Sequence, residues 1–384
     1  MSPRPLKVDV PLVYSRHSPV CSVVDASRAI QASGVVDSVT IWDQMTFFAP
    51  PRLWNPQSSP LAAVIPDIDS WPDPYIVLGQ IGAACPGLGL TTTSDAVRRG
   101  PAELTQSLLT LAQVTGSPTM VQMGAGELKQ TKPFGHKRTQ GIGRFEDTFE
   151  IFRKFMDDMD PIDHDGNYWK LENAWLGGAR PLHRPELWAL GAGPRLINAT
   201  AKFGDGFCTA APFVWSTPEQ AHERINAIKQ IIERNGRDPD EFGFGLWWIC
   251  LMHEDREVIE QAMTNDYVRW IATTLGRFNP EDWQAIGIDP PMGTSWHYAT
   301  KMLPITLDEQ ETADVLGRAT DDIVHNGWFH GSPTEMADQI QPFLEAGVNW
   351  VQIADMLPIT RPLEEAAECL GRTLEVAALI KQRP

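Results

Sequence analysis

The most chemically suggestive segment of this chain is a glycine turn between a short apolar run and a short helical pattern. It reads ELWALGAGPRLINATAKFGDGF, from Glu186 to Phe207. Small residues let a ligand approach the backbone, and proline suits the first position of a helix. The next amides, on Arg195, Leu196 and Ile197, would point out of a positive helix end, where phosphate binds well. An ordinary strand–helix turn without a ligand is the alternative. The residues expected to hold a phosphate are Gly191, Ala192, Gly193, Pro194 and Arg195.

A single glutamate follows another turn of small residues. Gly124, Ala125 and Gly126 come directly after the apolar run Thr119–Met123, and Glu127 follows them. At the carboxyl end of a buried strand, this turn would aim the carboxyl group of Glu127 into a pocket, where it could act as a general acid. A glutamate that caps a helix or forms an ion pair is the structural alternative.

The loop after Glu127 is densely basic in an acidic protein. It reads KQTKPFGHKR, from Lys129 to Arg138, and Arg98 and Arg99 lie on the preceding predicted strand–helix loop. Positive charge gathered on a negative body can attract a phosphate or a carboxylate tail. A solvated loop that balances nearby acidic residues explains the same charges equally well, so both interpretations stay open.

Other common catalytic patterns are missing. The chain has no GxSxG elbow, no Walker loop and no HExxH pair. His164 and Asp165, and the acidic run from Asp157 to Asp160, could suggest a metal. An acidic helix end that runs into Pro161 is more often a plain turn, and the sequence therefore predicts no catalytic metal.

A repeated alternation of strand and helix positions these residues. The expected strands are Lys7–Leu12, Ser38–Trp42, Gly87–Thr93, Thr119–Met123, Glu186–Leu190, Gly206–Ala210, Phe242–Cys250 and Trp350–Ala354. The expected helices are Val24–Ser33, Pro74–Cys85, Pro101–Thr115, Arg144–Asp157, Pro194–Phe203, Pro218–Asn235, Pro333–Ala346 and Leu363–Lys381. This alternation predicts an α/β fold, a parallel sheet closed into a (β/α)8 TIM barrel, whose active site lies at the carboxyl ends of the strands. An open doubly wound sheet is the alternative, but the usual glycine signature after its first strand is missing.

Three stretches interrupt the repeat, after predicted strands two, four and seven. Thr46–Pro72 is rich in Pro and Ser, and Asp160–Arg184 is expected to hold a small hairpin. Asp255–Asn326 carries a helical pattern near Glu257–Thr274, followed by a loop-rich segment. We expect one barrel over residues 1–384, with the insertions at about 46–72, 160–184 and 255–326 covering the pocket.

The composition of the chain argues against some classes of binding partner. The formal net charge of −17 argues against nucleic acid. The apolar runs are far shorter than a membrane span, and the start of the chain lacks the core of a signal peptide. Five widely spaced cysteines argue against a disulfide framework, which favours a cytoplasmic protein without a membrane partner. The fourteen tryptophans either line an apolar substrate cleft or fill the core.

The chain resembles the luciferase-like superfamily of flavin and deazaflavin barrels, and its coenzyme F420-dependent oxidoreductase branch is the most similar. The resemblance covers most of the chain, and its motifs occur in the family's order. They are TTSDAVRRGPAELTQ (Thr92–Gln106), QMGAGE (Gln122–Glu127), GRFEDTFEIFR (Gly143–Arg153), GAGPRLINATAKFGDGF (Gly191–Phe207), PMGTSW (Pro291–Trp296) and GSPTEMADQIQPFLEAGVNWV (Gly331–Val351).

The resemblance implies coenzyme F420, or FMN as the alternative, lying across the strand ends with its phosphate on the Gly191–Arg195 turn. It implies a cis peptide that does not involve proline near Thr91 and Thr92, beneath the cofactor ring, and contacts from the Gly124–Gly126 turn. It also implies that Glu127 serves as a proton donor or as an acid beside the ring, and that the protein is a homodimer with a small, apolar substrate.

One position departs from the family pattern. Many F420-dependent members carry Asp-His after the second strand, whereas this chain has Asp43 and Gln44. Glutamine is no base near neutral pH, so both residues are expected to hydrogen-bond the cofactor or substrate. His17 could substitute for the missing histidine, although a lone loop histidine is more often structural. The alternatives to an F420-dependent reductase are an FMN-dependent two-component monooxygenase and a non-catalytic member that only binds the cofactor.

Overall fold

The structure is a computed structural model that describes residues 4–383. Its strands are β1 Lys7–Pro11, β2 Ser38–Ile41, β3 Gly89–Asp95, β4 Thr119–Gly124, β5 Ile162–Asp165, β6 Lys170–Ala174, β7 Glu186–Leu190, β8 Gly206–Ala211, β9 Gly243–Met252, β10 Phe329–Gly331 and β11 Trp350–Asp355. Its α-helices are α1 Val20–Ser33, α2 Pro74–Ala84, α3 Pro101–Thr115, α4 Leu128–Thr131, α5 Gly141–Asp157, α6 Pro194–Phe203, α7 Pro218–Arg234, α8 Arg256–Met263, α9 Asp266–Leu275, α10 Pro280–Gln284, α11 Tyr298–Lys301, α12 Glu309–Leu316, α13 Asp321–Asn326, α14 Pro333–Glu345 and α15 Ala366–Gln382.

Eight parallel strands close into a barrel. They follow the order β1, β2, β3, β4, β7, β8, β9 and β11, and β11 pairs with β1 to complete the ring. The prediction of a (β/α)8 barrel is confirmed, and each predicted barrel strand agrees with the structure within about two residues. The three-residue strand β10 was not predicted. It pairs with β9 outside the ring. Three residues are too few for the sequence to show the apolar pattern of a strand.

The insertions differ in structure. The Asp160–Arg184 stretch does hold the predicted hairpin, since β5 pairs antiparallel with β6. Thr46–Pro72 contains two 3₁₀ turns, Pro51–Leu53 and Pro60–Ala63. The helical pattern near Glu257–Thr274 is confirmed, and the structure divides it into two helices, α8 and α9. Asn265 separates them, and its side chain caps α9 by accepting a hydrogen bond from the Tyr267 amide at 2.9 Å.

A buried carboxyl group lies at the centre of the barrel. Asp9 on β1 has no solvent exposure. It accepts hydrogen bonds from the hydroxyls of Ser38 (2.5 Å) and Thr40 (2.7 Å) and from the amide of Gln352 (2.8 Å). Burial raises the pKa of Asp9 to about 7, which outweighs these donors. The barrel interior is therefore a polar, close-packed core rather than a pore.

The described helices include none with the length and apolarity that a bilayer crossing requires.

Candidate active site

The carboxyl ends of β2 and β3 are joined by a network of ion pairs around Asp43. Arg98 donates to its Oδ1 (3.2 Å) and to its backbone oxygen (2.7 Å). Arg99 donates to Oδ2 at 3.0 Å, and the Ser94 hydroxyl donates to the same oxygen at 3.1 Å. Arg98 also pairs with Asp95 at 2.5 Å. Both oxygens of Asp43 are thus engaged by the protein, and its contact with a cofactor or substrate stays a prediction.

A buried lysine lies beside Gln44 and Glu127. Lys129 has a 1 % exposed side chain, and its Nζ lies 3.0 Å from Oε2 of Glu127. The same nitrogen donates to Oε1 of Gln44 and to the backbone oxygen of Thr46, each at 2.9 Å. It also lies 3.8 Å from the centre of the Phe48 ring. The structure therefore brings two predicted residues, Gln44 and Glu127, together through a third that was expected to lie on a loop.

The insertion after β9 reaches the same place. Tyr298, at the start of α11, lies beside Glu127, and burial followed by the charge of Glu127 raises its pKa well above the ordinary value. The neighbouring His297 stacks on Tyr298 with ring centres 5.7 Å apart. Burial, reinforced by Arg138, lowers the pKa of His297. Glu127 thus receives partners both from its own loop and from the third insertion.

The basic loop divides into a buried part and a solvated part. Lys129 is buried, whereas Lys132, His136 and Lys137 are exposed. Arg98 is partly buried in the Asp43 network rather than free to bind a polyanion. Both interpretations stay open for the exposed residues, while Lys129 acts as an internal counter-ion.

The turn after β4 lies against the end of β7. A Cβ atom added to Gly124 would come within 3.4 Å of the backbone oxygen of Leu190, and one added to Gly141 would come within 1.7 Å of the Ala125 oxygen. Gly126 has a φ of 92°, a conformation that favours glycine. The small residues allow the turns after β4 and β7 to approach each other at the same end of the barrel.

The predicted phosphate turn after β7 is open to solvent. Gly193 caps α6, and a Cβ added to it would meet nothing within 4 Å. Ala192, Gly193, Pro194 and Arg195 are all exposed. The expectation of three available amides is wrong for Ile197, because its N–H donates to the Gly193 oxygen at 3.0 Å. The amides of Arg195 and Leu196 precede this first helical hydrogen bond.

Arg195 already has an acidic partner. Its guanidinium donates to both carboxylate oxygens of Glu146 on α5, at 2.9 and 2.5 Å, although its side chain is 60 % exposed. Contact between Arg195 and a phosphate stays a prediction. It requires that the guanidinium contact the phosphate as well as Glu146, or that the ion pair with Glu146 break.

The strand beneath the expected ring position is regular. Leu90–Asp95 pair in continuous register with β4. The implied cis peptide near Thr91 and Thr92 is wrong, since the only cis peptide within residues 4–383 joins Ala211 to Pro212. Thr91 lies in the barrel beside Asp9, and the hydroxyl of Thr92 donates to the backbone oxygen of Ile41 at 2.8 Å. Both threonines are buried, and their contact with a cofactor stays a prediction.

Aromatic side chains line the same barrel end. The indole of Trp247 on β9 donates to Oε1 of Gln122 at 2.8 Å and stacks on Trp42 with ring centres 5.8 Å apart. Trp42 and Trp71 are 6.5 Å apart. The buried indole nitrogens of Trp42 and Trp71 have no hydrogen-bond partner among residues 4–383. Buried donors without partners are costly in a protein, so they indicate that a ligand or water contacts them.

His17 does not join the cluster around Glu127. It is exposed, and its Nε2 lies 3.1 Å from the Ser70 hydroxyl of the first insertion. This position agrees with the interpretation of His17 as a structural or solvated histidine.

These features fit a planar cofactor that carries a phosphate. The exposed Gly193 turn and the two leading amides of α6 suit a phosphate. The donors without partners and the stacked indoles suit a flat, polar ring. When bound, such a cofactor supplies or accepts a hydride.

Parallel strands closed into a ring, with polar and aromatic groups gathered at their carboxyl ends, define a barrel of the kind that carries enzymes. The family model "Luciferase-like monooxygenase" matches residues 51–349. The chain therefore belongs to the luciferase-like monooxygenase family.

Among curated proteins the chain is similar to the phthiodiolone/phenolphthiodiolone dimycocerosates ketoreductase of Mycobacterium tuberculosis. The two are 26 % identical over 348 residues, which cover 88 % of this chain and 89 % of the relative. This agrees with the sequence-based resemblance and supports an oxidoreductase.

Solved structures share the fold. An F420-dependent secondary alcohol dehydrogenase in complex with an F420-acetone adduct aligns with a TM-score of 0.69 and 16 % identity, over 98 % of this chain and 99 % of the other. A riboflavin lyase (RcaE) with modified FMN and riboflavin aligns with a TM-score of 0.68 and 15 % identity, over 98 % and 90 %. These neighbours include a protein with F420 and a protein with FMN, and they show that this chain shares their fold.

Proposed function

We propose that this protein is an F420-dependent oxidoreductase that transfers a hydride between C5 of the deazaflavin and a ketone or conjugated alkene of an apolar substrate. The observation that carries the proposal is the convergence of Gln44, Glu127, Lys129 and Tyr298 at the barrel end that also carries the open Gly193 turn. Similarity over most of the chain to a ketoreductase supports the same reaction class.

Each group has a defined task in this proposal. The amides of Arg195 and Leu196 bind the cofactor phosphate, and the turns after β4 and β7 let the cofactor approach the backbone. Glu127 lies where it can exchange a proton with the substrate oxygen or hold the ring. Gln44 orients Lys129 rather than acting as a base. The hydride chemistry belongs to the cofactor, and the protein supplies binding and orientation.

The aromatic side chains support an apolar substrate. The stacked indoles of Trp42 and Trp247 and the rings of Phe47 and Trp71, 5.6 Å apart, give this barrel end large apolar surfaces. The insertion that carries Tyr298 contacts the cluster from above, consistent with a pocket cover. We also propose a cytoplasmic homodimer, on the basis of the family resemblance.

An FMN-dependent two-component monooxygenase is the second candidate. The family's description and a structural neighbour that carries FMN favour it. The two functions differ in kind, because reduced flavin reacts with oxygen and deazaflavin reacts with it poorly.

The test is to titrate the purified protein with F420 and, separately, with FMN, and to follow binding by fluorescence. We expect F420 to bind more tightly. Tight binding of FMN with no binding of F420 would refute the proposal, and oxygen uptake with a flavin reductase present would support the monooxygenase. If Glu127→Gln changed no activity, a non-catalytic binding role would be favoured.

A further inference from the structure

The ion pair between Lys129 and Glu127 bears on where the proton of the reaction is held. Its two groups lie 3.0 Å apart, and the lysine is almost fully buried. A buried ammonium must have its donors satisfied and its charge balanced. Nζ donates hydrogen bonds to Gln44 and to the backbone oxygen of Thr46, and its ion pair with Glu127 balances its charge.

These contacts determine the resting state of Glu127. If Glu127 were a neutral acid, the buried ammonium would lose its only directly contacting anion. A buried charge without a counter-ion is costly, so the charged pair is favoured. In the resting site the exchangeable proton is therefore on Nζ of Lys129. Glu127 is then a carboxylate rather than an acid that already carries the proton.

The surroundings make Lys129 a better proton donor than a solvated lysine. Burial lowers the pKa of Lys129, and the positive charge of Arg98 lowers it further. The negative charges of Glu127 and Asp69 oppose this decrease without cancelling it. Tyr298 has a raised pKa and therefore stays a phenol that can donate to Glu127. Of the two proton-bearing partners of Glu127, Lys129 releases its proton more readily.

We propose that Lys129 keeps Glu127 ionised at rest and supplies, through Glu127, the proton that the substrate oxygen receives. This inference rests on the proposed function. In ketone reduction the carbonyl carbon gains a hydride from the reduced deazaflavin, which is oxidised, and the carbonyl π electrons move to oxygen. Lys129 first transfers its proton to the carboxylate of Glu127, the protonated Glu127 then gives that proton to the oxygen, and the neutral amine regains a proton from water. Lys129 is thus a positioning residue that acts through Glu127.

Infrared difference spectroscopy of the free protein tests the resting state without cofactor or substrate. Between wild type and E127Q at neutral pH, we expect the loss of a carboxylate band and no loss of a protonated carboxyl band. Between K129M and the double variant K129M/E127Q, we expect a protonated carboxyl band to be lost, because Glu127 keeps its proton without the ammonium. A protonated Glu127 in wild type, or an ionised one in K129M, would overturn the proposal.

Two further variants guard against effects of misfolding. K129R keeps the positive charge and should leave Glu127 ionised, and K132M, on the exposed part of the same loop, should leave the spectrum unchanged. The comparison of wild type with E127Q does not require any lysine variant to fold. A protonated band in K132M equal to that in K129M would show a nonspecific effect and overturn the assignment.

A kinetic measurement tests the relay itself. With reduced F420 and a panel of methyl ketones, K129M should oxidise the bound cofactor as wild type does at low pH, where Glu127 carries its own proton. It should be at least about 100-fold slower than wild type once the pH is high enough to ionise Glu127, which is the usual contribution of general acid catalysis. Single-turnover rates that follow the same pH profile in the two proteins would overturn the relay. Failure of wild type to bind F420 would instead refute the proposed function, and the infrared result would still decide whether Lys129 keeps Glu127 ionised.

Discussion

Replacement of Asp9 by asparagine should make the protein more stable at neutral and alkaline pH. The pKa of this carboxyl is raised by burial from 3.8 to about 7. A raised pKa means that the folded protein binds a proton which the unfolded chain releases, so stability is greatest below pH 3.8 and is lost as the pH rises through 7.

The magnitude follows from the same two values. Each pKa unit corresponds to about 1.4 kcal/mol, so the ionisation of Asp9 costs about 4 kcal/mol of unfolding free energy once the pH exceeds the folded-state value. Asparagine keeps the shape and has no charge. Its carbonyl can accept from the Gln352 amide and the Thr40 hydroxyl, and the hydroxyl of Ser38 can turn to accept from its NH2 group.

Urea unfolding of wild type and Asp9→Asn, from about pH 5 to about pH 8, measures this effect. We expect the variant's advantage to grow by roughly 1.4 kcal/mol per pH unit up to about pH 7 and then level off. Asp289→Asn on the exposed surface is the matched control and should show no such trend. An advantage that is constant with pH, or an Asp9→Asn protein that is less stable throughout, would refute the reasoning.

Other expected outcomes follow from the described contacts. Gly193→Asp should leave the fold intact and weaken F420 binding at least about tenfold compared with Gly193→Ala, because the new carboxylate caps the amides that a phosphate needs. Asp147→Ala should expose the hairpin to faster proteolysis, because its carboxylate accepts three backbone N–H groups there. Asp355→Asn should raise stability above about pH 7, since burial raises the pKa of Asp355 to about 7. Gly243→Ala should cost about 1–3 kcal/mol by thermal unfolding, because the added Cβ would lie 2.1 Å from the Trp188 ring.

The barrel was predictable because its strands are short apolar runs that alternate with helices marked by proline. The start of α14 is marked in the sequence by a serine followed three residues later by a glutamate, and Ser332 and Glu335 form the mutual hydrogen bonds of a capping box there. The break between α8 and α9 was missed because the apolar pattern continues across it. Asn265 is the available signal there, since asparagine is a strong N-cap residue.

The polar partners of the site were harder to predict from sequence. Lys129 stood within a basic run and was interpreted as part of a loop. Its burial depends on Gln44 and Thr46, which the chain places more than eighty residues earlier. Tyr298 lies in the loop-rich part of the third insertion, which has no periodic signal. Asp9 was detectable in principle, because a carboxylate between valines on a buried strand must find hydrogen-bond partners.

The charges at this barrel end favour a neutral substrate. Asp43 is neutralised by Arg98 and Arg99, and Glu127 is neutralised by Lys129, so few charges are left to recognise an anion. An anionic group that entered here would have to compete with carboxylates already held by buried or partly buried cations, at a cost of several kcal/mol per broken pair. The open Gly193 turn is the exception, and it faces the solvent rather than the ion-pair network. The two surfaces therefore suit different ligands. The Gly193 turn suits the phosphate of a cofactor, and the aromatic, charge-balanced surface suits an apolar carbonyl compound.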